Sequence, residues 1–325
     1  MRPTLAVIKQ VILKFPDPAL SSMLIIITVV VSLGLHPKNE KENSALSEVN
    51  RRETQGLVHN YLIGGLRNVF TVYEESNKNG ISNKTEIGKC FSELGNDPDC
   101  RVIVLSGTGK VFSAGIDFAD AAQIGARLSE TEDVARRCKI LHDTIKLYQD
   151  SMTSLEKCPK PVISAVHNAC IGGALDLITA ADIRYCTSDA WFQVKEVDIG
   201  MAADVGTLQR LPRIIGSESL VRELVFTARK MLASEAKECG FVSKVYDDKD
   251  SMLKGAIEMA ADIAAKSPVA VQVTKRNIVY SRDHAIQEGL DHIRFWNMAM
   301  LQSEDFMNAT VAQATKSPLP TFSKL

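Results

Sequence analysis

The chain carries no surplus of charge of either sign. Lys and Arg number 38 against 39 Asp and Glu, a formal net charge of −1. That gives no electrostatic footing for nucleic acid, so no nucleic-acid partner is expected. It also lacks any C-x-x-C pair. Its seven cysteines (Cys90, Cys100, Cys138, Cys158, Cys170, Cys186, Cys239) are scattered and odd in number. They read as reduced packing residues of an intracellular protein, not as a disulfide framework. There is no G-x-G-x-x-G, no phosphate loop and no G-x-S-x-G, and no His or Cys spacing that would hold a metal. Nucleotide, serine-hydrolase and metal chemistry therefore have no sequence support. No histidine stands where it could shuttle protons. His167 precedes a Gly-Gly turn and reads as a packing or turn residue.

What is present is a globular composition, 45% hydrophobic and 24% charged over 325 residues. Three regions are expected: 1–56, 57–265 and 266–325. The first is unlike the rest. Met1 to Phe15 is basic and free of acids, and Ala19 to Leu35 is almost wholly apolar. A signal peptide, a transit peptide, a weak membrane anchor and a segment outside the working protein are all open readings. His36 to Thr54 is polar and charge-rich and reads as a linker.

The globular part is expected from about Leu57. Asn68 to Tyr73 is β-like, and Lys84 to Leu94 has helical spacing. Arg101 to Ser106 is a continuous apolar run, the mark of a strand buried on both faces. A helix is expected from Thr131 to Leu155, broken by Pro159 and Pro161. Strands follow at Val162–Val166, Ile183–Cys186 and Ala190–Val194, with a short helix at Ala174–Ala181 between them. A helix beginning at Val205 is expected to end at Pro212. Helices fill the remainder, closing with an apolar stretch from Ile293 to Phe306. Strand, turn and helix in repetition, then helices alone, predict an α/β fold with mostly parallel strands.

Two strand-to-helix turns offer backbone N–H groups to a ligand: Ser113-Ala114-Gly115-Ile116-Asp117 and Cys170-Ile171-Gly172-Gly173. Converging N–H donors stabilise a developing oxyanion, and losing one costs about 2.7–4 kcal/mol of barrier. Each turn could equally be an ordinary connection, and Asp117 a simple helix cap. Three carboxylates follow. Asp176 lies in the first turn of the short helix, where it could merely offset the helix dipole. Glu196 follows the Ala190 strand. Asp204 lies among small apolar residues (Met201-Ala-Ala-Asp-Val205) and could cap the next helix. Two carboxyls in a dry pocket acquire separated proton affinities, so one can accept a proton while another donates.

Ser113 to Asp117 with His167 to Asp176, Ile183-Arg-Tyr185, Phe192-Gln-Val-Lys-Glu196, Gly206-Thr-Leu-Gln-Arg-Leu-Pro212 and Thr227-Ala-Arg-Lys230 resembles the crotonase, or enoyl-CoA hydratase/isomerase, superfamily. The resemblance spans roughly Glu75 to Leu325. It is nearest to the branch that isomerises 3,5-dienoyl thioesters, through Asp176 where hydratases carry Glu, Glu196, and a third acid at Asp204. It implies a crotonase-like ββα spiral with a C-terminal helical region that assembles trimers or hexamers. It implies Ile116 and Gly173 N–H groups as the oxyanion hole, and Ala114, Gly115, Ile116, Asp117, Phe118 and Gly173 as substrate-binding. It implies Glu196 removing a C2 proton from a fatty acyl-CoA, Asp204 returning one at C6, and Asp176 orienting or tuning. It implies no metal and no redox cofactor, coenzyme A entering only as part of the substrate. Related readings are a 2-enoyl-CoA hydratase, a monoene isomerase, or a non-catalytic RNA- or protein-binding homologue. The family's Arg-Pro-x-Lys-x-Asn-Ala segment is altered here to Glu75-Ser-Asn-Lys-Asn-Gly-Ile81, which bears on coenzyme A contacts. Ser323-Lys324-Leu325 at the C-terminus is a peroxisomal address, read by an import receptor, and a mitochondrial address on the same chain would be compatible with it.

Overall fold

A computed structural model describes residues 6–13, 25–32, 82–107, 109–115 and 118–325. The β-like run at Asn68–Tyr73, the linker and the altered Glu75–Ile81 segment lie outside the described residues. Two N-terminal strands, β1 (Ala6–Leu13) and β2 (Ile25–Ser32), pair antiparallel. Helix α1 (Ser82–Asn96) leads to β3 (Val102–Gly107), then α2 (Phe118–Ser129) and the long α3 (Val134–Lys157). Next come β4 (Val162–Val166), β5 (Ala169–Ile171), α4 (Gly173–Thr179), β6 (Ile183–Thr187) and β7 (Trp191–Gln193). A 3-10 turn (Glu196–Ile199) precedes α5 (Thr207–Ile215), α6 (Glu218–Thr227), β8 (Met231–Leu232), α7 (Ala233–Glu238) and β9 (Lys244–Tyr246). Four helices close the chain: α8 (Lys249–Ala264), α9 (Pro268–Arg282), α10 (Ile286–Met300) and α11 (Glu304–Ala314).

One sheet runs β1-β2-β3-β4-β6-β9, and a second runs β5-β7-β8. The β3-β4-β6-β9 pairs are parallel, as the alternation of strand and helix predicts. β3 is buried along its whole length. Ile103 and Leu105 face the main core with Phe91, Phe112 and Leu155, while Val102 and Val104 face α8. α8 meets that face with Met252, Ala256, Ala260 and Ala264, one residue every four, so a single small-residue stripe lies flat on the sheet.

Three expectations need correction or restatement. Pro212 lies inside α5 and does not end it. Proline forfeits one intrahelical bond and costs about 3 kcal/mol in a helix interior. Leu211 and Ile215 are buried on the core side of the same helix, and each such side chain returns about 1.5–3 kcal/mol. The apolar stretch from Ile293 to Phe306 is two helices, split where the Ser303 side chain accepts from Phe306 N–H and caps α11. The N-terminal apolar run contributes a strand, because Ile25 to Val31 is β-branched at every position, a composition that favours extended chain. β2 pairs antiparallel with β3, and no described helix is long and apolar enough to cross a membrane.

The C-terminal helices are bolted on by a buried lysine. Lys275 on α9 donates to the Leu155 and Lys160 carbonyls at 2.9 Å each and pairs with Asp182 at 2.7 Å. Arg101 donates to the Phe322 and Ser323 carbonyls, both at 2.9 Å, and Lys324 pairs with Asp99, so the C-terminal tail lies against the start of β3.

Candidate active site

The two strand-to-helix turns are neighbours. Ser113 bridges Cys170 in parallel register, and its N–H donates to the Ala169 carbonyl at 2.9 Å. Phe112 N–H donates to His167 O at 3.0 Å. Gly115, at φ +97°, packs so close to Ile171 that a Cβ there would meet Ile171 Cγ2 at 3.3 Å. The first turn is thus seated on the second up to Gly115. Ala114 is exposed beside it. Ile116 and Asp117, the expected second donor and its neighbour, lie outside the described residues, and Phe118 opens α2.

The Gly-Gly pair divides its work. Gly172 is the N-cap of α4 at φ 58°, ψ −129°, a conformation that only glycine adopts without strain. A Cβ on Gly172 would sit 3.3 Å from Glu196 Oε1. Gly173 then starts the helix, and the space where its Cβ would lie is open, with nothing within 4 Å. The helix start is therefore open on the side where a Gly173 side chain would stand. Sequence reasoning singled out Gly173 and missed that Gly172 is the one packed against Glu196.

The three acids share one field. Asp176, in the first turn of α4, is completely buried. Its Oδ1 accepts the Thr207 N–H at 2.5 Å, while Oδ2 is buried with no hydrogen-bond partner. Burial raises its carboxyl above the ordinary range, the Thr207 side-chain and backbone bonds oppose that, and Asp204 adds to it. Glu196 opens the 3-10 turn after β7 and is half-buried, and its Oε2 is also buried without a partner. Burial first, then the charge of Asp176 and more weakly that of Asp204, pushes Glu196 up to about 7. Asp204 is half-buried between Ala203 and Val205, and its carbonyl accepts from Gln149 Nε2 on α3 at 2.7 Å. It does not cap α5. That helix has Gly206 at its N-cap, and its first N–H goes to Asp176 instead. His167 serves packing: its Nε2 meets the Gly109 carbonyl at 2.9 Å and it is nearly buried.

A half-buried glutamate near neutrality, a buried aspartate with one free oxygen and a third carboxyl in the same field can pass a proton between two positions of a bound molecule. Thr207 and Gln149 hold two of these acids in place. Neither was singled out from the sequence, because each meets its acid across a long separation in the chain.

Comparison with known proteins gives the family. The family model described as enoyl-CoA hydratase/isomerase matches residues 69–312. A protein of Rattus norvegicus named mitochondrial Delta(3,5)-Delta(2,4)-dienoyl-CoA isomerase is 56% identical over 242 residues, covering 74% of each chain. One of Arabidopsis thaliana, named the peroxisomal Delta(3,5)-Delta(2,4)-dienoyl-CoA isomerase, is 47% identical over 240 residues, covering 74% of this chain and 86% of its own. Among solved structures, an enoyl-CoA hydratase from Bacillus anthracis superposes with a TM-score of 0.66 at 26% identity, covering 75% of this chain and 89% of that one. The chain belongs to the enoyl-CoA hydratase/isomerase family.

Proposed function

We propose that this chain is an isomerase converting 3,5-dienoyl-CoA to 2,4-dienoyl-CoA. The observation that carries the proposal is the acid cluster: Glu196 held near neutrality against the Gly172 turn, with Asp176 and Asp204 in its field. Relatives at 47–56% identity bear that activity in their names.

The thioester oxygen would lie at the Gly173 N–H, with the Ile116 N–H as second donor. As carboxylate, Glu196 takes the C2 proton. The electron pair left at C2 delocalises through the carbonyl and the two double bonds as a dienolate, whose negative oxygen the N–H donors stabilise. Asp204 delivers a proton to C6. The double bonds move from 3,5 to 2,4, and the proton passed to the protein at one end is matched by one returned at the other. Nothing is oxidised or reduced overall, so the reaction as written needs no cofactor beyond the coenzyme A of the substrate. Asp176 orients the pair and tunes Glu196. Ala114, Gly115, Asp117 and Phe118 would line the thioester side.

We also assign 266–325 to assembly as a homotrimer or homohexamer, on the strength of Phe295 at 71% and Met298 at 62% exposure on α10. We take 57–265 as the spiral core and 1–56 as a separate segment ahead of it, although β2 of that segment pairs with β3 of the core sheet. Ser323-Lys324-Leu325 would be the peroxisomal address presented to an import receptor. Leu325 is exposed, although Lys324 is paired with Asp99.

The test is an ultraviolet assay of the full chain with 3,5-octadienoyl-CoA and 2-octenoyl-CoA. Growth of the conjugated 2,4-dienoyl band, with little hydration of the octenoyl control, is expected. Hydration of the control without dienoyl conversion would overturn the proposal in favour of a hydratase.

A further inference from the structure

Glu196 stands on a turn that closes on itself. Asp198 N–H donates to the Lys195 carbonyl at 3.1 Å, Gly200 N–H to that of Val197 at 3.2 Å, and Met201 N–H to that of Glu196 at 3.1 Å. The Lys195 ammonium pairs with Asp198 at 2.7 Å, and no residue of the 3-10 turn is buried. Such a turn is placed as a unit by its neighbours. These are β7, which leads into it, and α6, which lies against it. One side chain joins the two. Gln193, the last residue of β7, donates from Nε2 to the Ala228 carbonyl at the end of α6, at 2.5 Å.

The same residue reaches the Gly-Gly turn. Its backbone carbonyl accepts the Gly172 N–H at 3.0 Å, just beyond the Ile171–Gln193 pair that ends the β5–β7 ladder. Gly172 is the residue whose missing Cβ would stand 3.3 Å from Glu196 Oε1. The anchor at Ala228 is stiff. Ala228 is buried and left-handed at φ 49°, a conformation that a residue with a Cβ keeps only where its surroundings fix it. Arg229, next to it, donates to Glu223 on α6 at 2.6 Å and to both oxygens of Glu235 on α7 at 2.6 and 2.8 Å.

We propose that Gln193 is a positioning residue for the base. Its carbonyl holds the Gly172 turn, and its amide moors the end of β7 to α6, so that Glu196 is fixed over Gly172-Gly173. The inference rests on reading Glu196 as the group that takes the C2 proton. Without the amide contact, the end of β7 and the 3-10 turn are free to shift against Gly172. The C2 transfer then slows, while substrate affinity and the Asp204 end keep their values.

Single turnovers of 3,5-octadienoyl-CoA, with the full chain in excess, read this through a rate constant that does not depend on how much of the sample is active. Gln193→Met keeps the length of the side chain and removes the donor. Its rate constant is expected to fall about 2- to 13-fold, the size set by one neutral hydrogen bond, with substrate affinity unchanged. Dideuteration at C2 is expected to slow this variant at least as much as it slows the wild type, because the first transfer is the step affected. Gln193→Asn keeps the amide but stops a methylene short of Ala228; it gives the same loss, and carries the test if the methionine variant does not fold. A merely structural loss lowers the fraction of competent enzyme and leaves the rate constant in place. An unmoved constant, or one that falls with a smaller C2 isotope effect, overturns the inference and leaves the isomerase reading standing. A wild type that gives no 2,4-dienoyl product refutes the isomerase reading instead. Exchange of the C2 protons in D2O, followed by nuclear magnetic resonance, then judges Gln193 alone: slower exchange in the variant upholds its role, and unslowed exchange overturns it. No C2 exchange in the wild type overturns both, because Glu196 is then not the base.

Discussion

Glu156 on α3 is largely buried and Asp176 on α4 completely so, and the two acids meet α5 at Arg210 and at Thr207, about one helical turn apart in its sequence. Glu156 is satisfied on both oxygens. Arg282 donates to Oε1 at 2.8 Å and to Oε2 at 2.7 Å, and Arg210 donates to Oε2 at 3.0 Å. Burial works to raise its carboxyl, but the hydrogen bonds from Arg282 and Arg210 win, and it is held below its ordinary value. Asp176 has a backbone N–H on one oxygen and nothing on the other, and it is held above its ordinary value. Glu196 beside it also keeps a bare buried oxygen. A fully paired carboxylate joins elements, here α3, α5 and α9. A buried carboxyl with an unpaired oxygen is a standing cost, which proteins tolerate where a ligand or a proton is to be handled. The same helix therefore carries a structural acid pocket at Arg210 and a chemical one at Thr207.

The largest effects should fall on the chemical pocket and leave the structural one alone. Glu196→Gln and Asp204→Asn each remove a proton-transfer group and should lower kcat by about 10²–10⁴-fold, the usual weight of general acid–base catalysis, with little loss of melting temperature. Steady-state turnover of a 3,5-dienoyl-CoA beside a calorimetric scan checks both halves. Full activity in Asp204→Asn would remove Asp204 from the mechanism and leave it a loop residue held by Gln149.

Glu156→Ala should do the opposite. It leaves Arg210, 11% exposed, without its carboxylate partner, and destabilises the fold by about 3 kcal/mol while the acids keep their chemistry. Because the folded carboxyl titrates below its unfolded value of 4.5, its contribution is present above that pH and fades as pH falls through the folded value. The wild type and Glu156→Ala should therefore converge in stability under acid. Denaturation at neutral and acidic pH measures this, and a constant gap would mean that Glu156 acts by packing alone.

Glu196 carries the reverse sign. Its folded value, about 7, lies above the unfolded 4.5, so the folded state binds more protons between them. Stability must fall as pH rises across that window. Glu196→Gln should thus stabilise the protein above neutrality, by about 1–2 kcal/mol once the partial exposure of the group is allowed for, and do nothing in acid. The same substitution should abolish turnover while raising the melting temperature, a combination that Glu156 variants cannot give.

Much of this was legible in the sequence because it is local. The continuous apolar run at Arg101–Ser106 marks β3 as a strand covered on both faces. Gly172-Gly173 marks a turn, and Asp176 falls in the first turn of its helix. What escaped depends on contacts distant in the chain. Pro212 looks like a stop until Leu211 and Ile215 are known to be buried. Asp204 looks like the cap of α5 until Asp176, 31 residues before Thr207, takes that N–H. The run at Ile25–Ser32 resembles a leader or an anchor by hydropathy alone. β-branching favours a strand, yet nothing in the segment itself names β3 as its neighbour.

The smallest effect tests how finely the chemical pocket is held. Gln149 on α3 donates to the Asp204 carbonyl at 2.7 Å across 55 residues. It touches no reacting atom in the proposed mechanism, so it can act only by fixing where Asp204 stands. A single neutral hydrogen bond of this kind is worth about 0.5–1.5 kcal/mol, so Gln149→Ala should cost roughly 2- to 13-fold in kcat. Because Asp204 serves the second proton transfer, the loss should appear in kcat with KM nearly unchanged. A deuterium label delivered to C6 from solvent should report a slower transfer there while exchange at C2 keeps its wild-type rate. Equal slowing at C2 and C6 would mean that the α3 contact supports the whole pocket and not the Asp204 end of it. Gln149 would then belong with Glu156 among the residues that hold elements together.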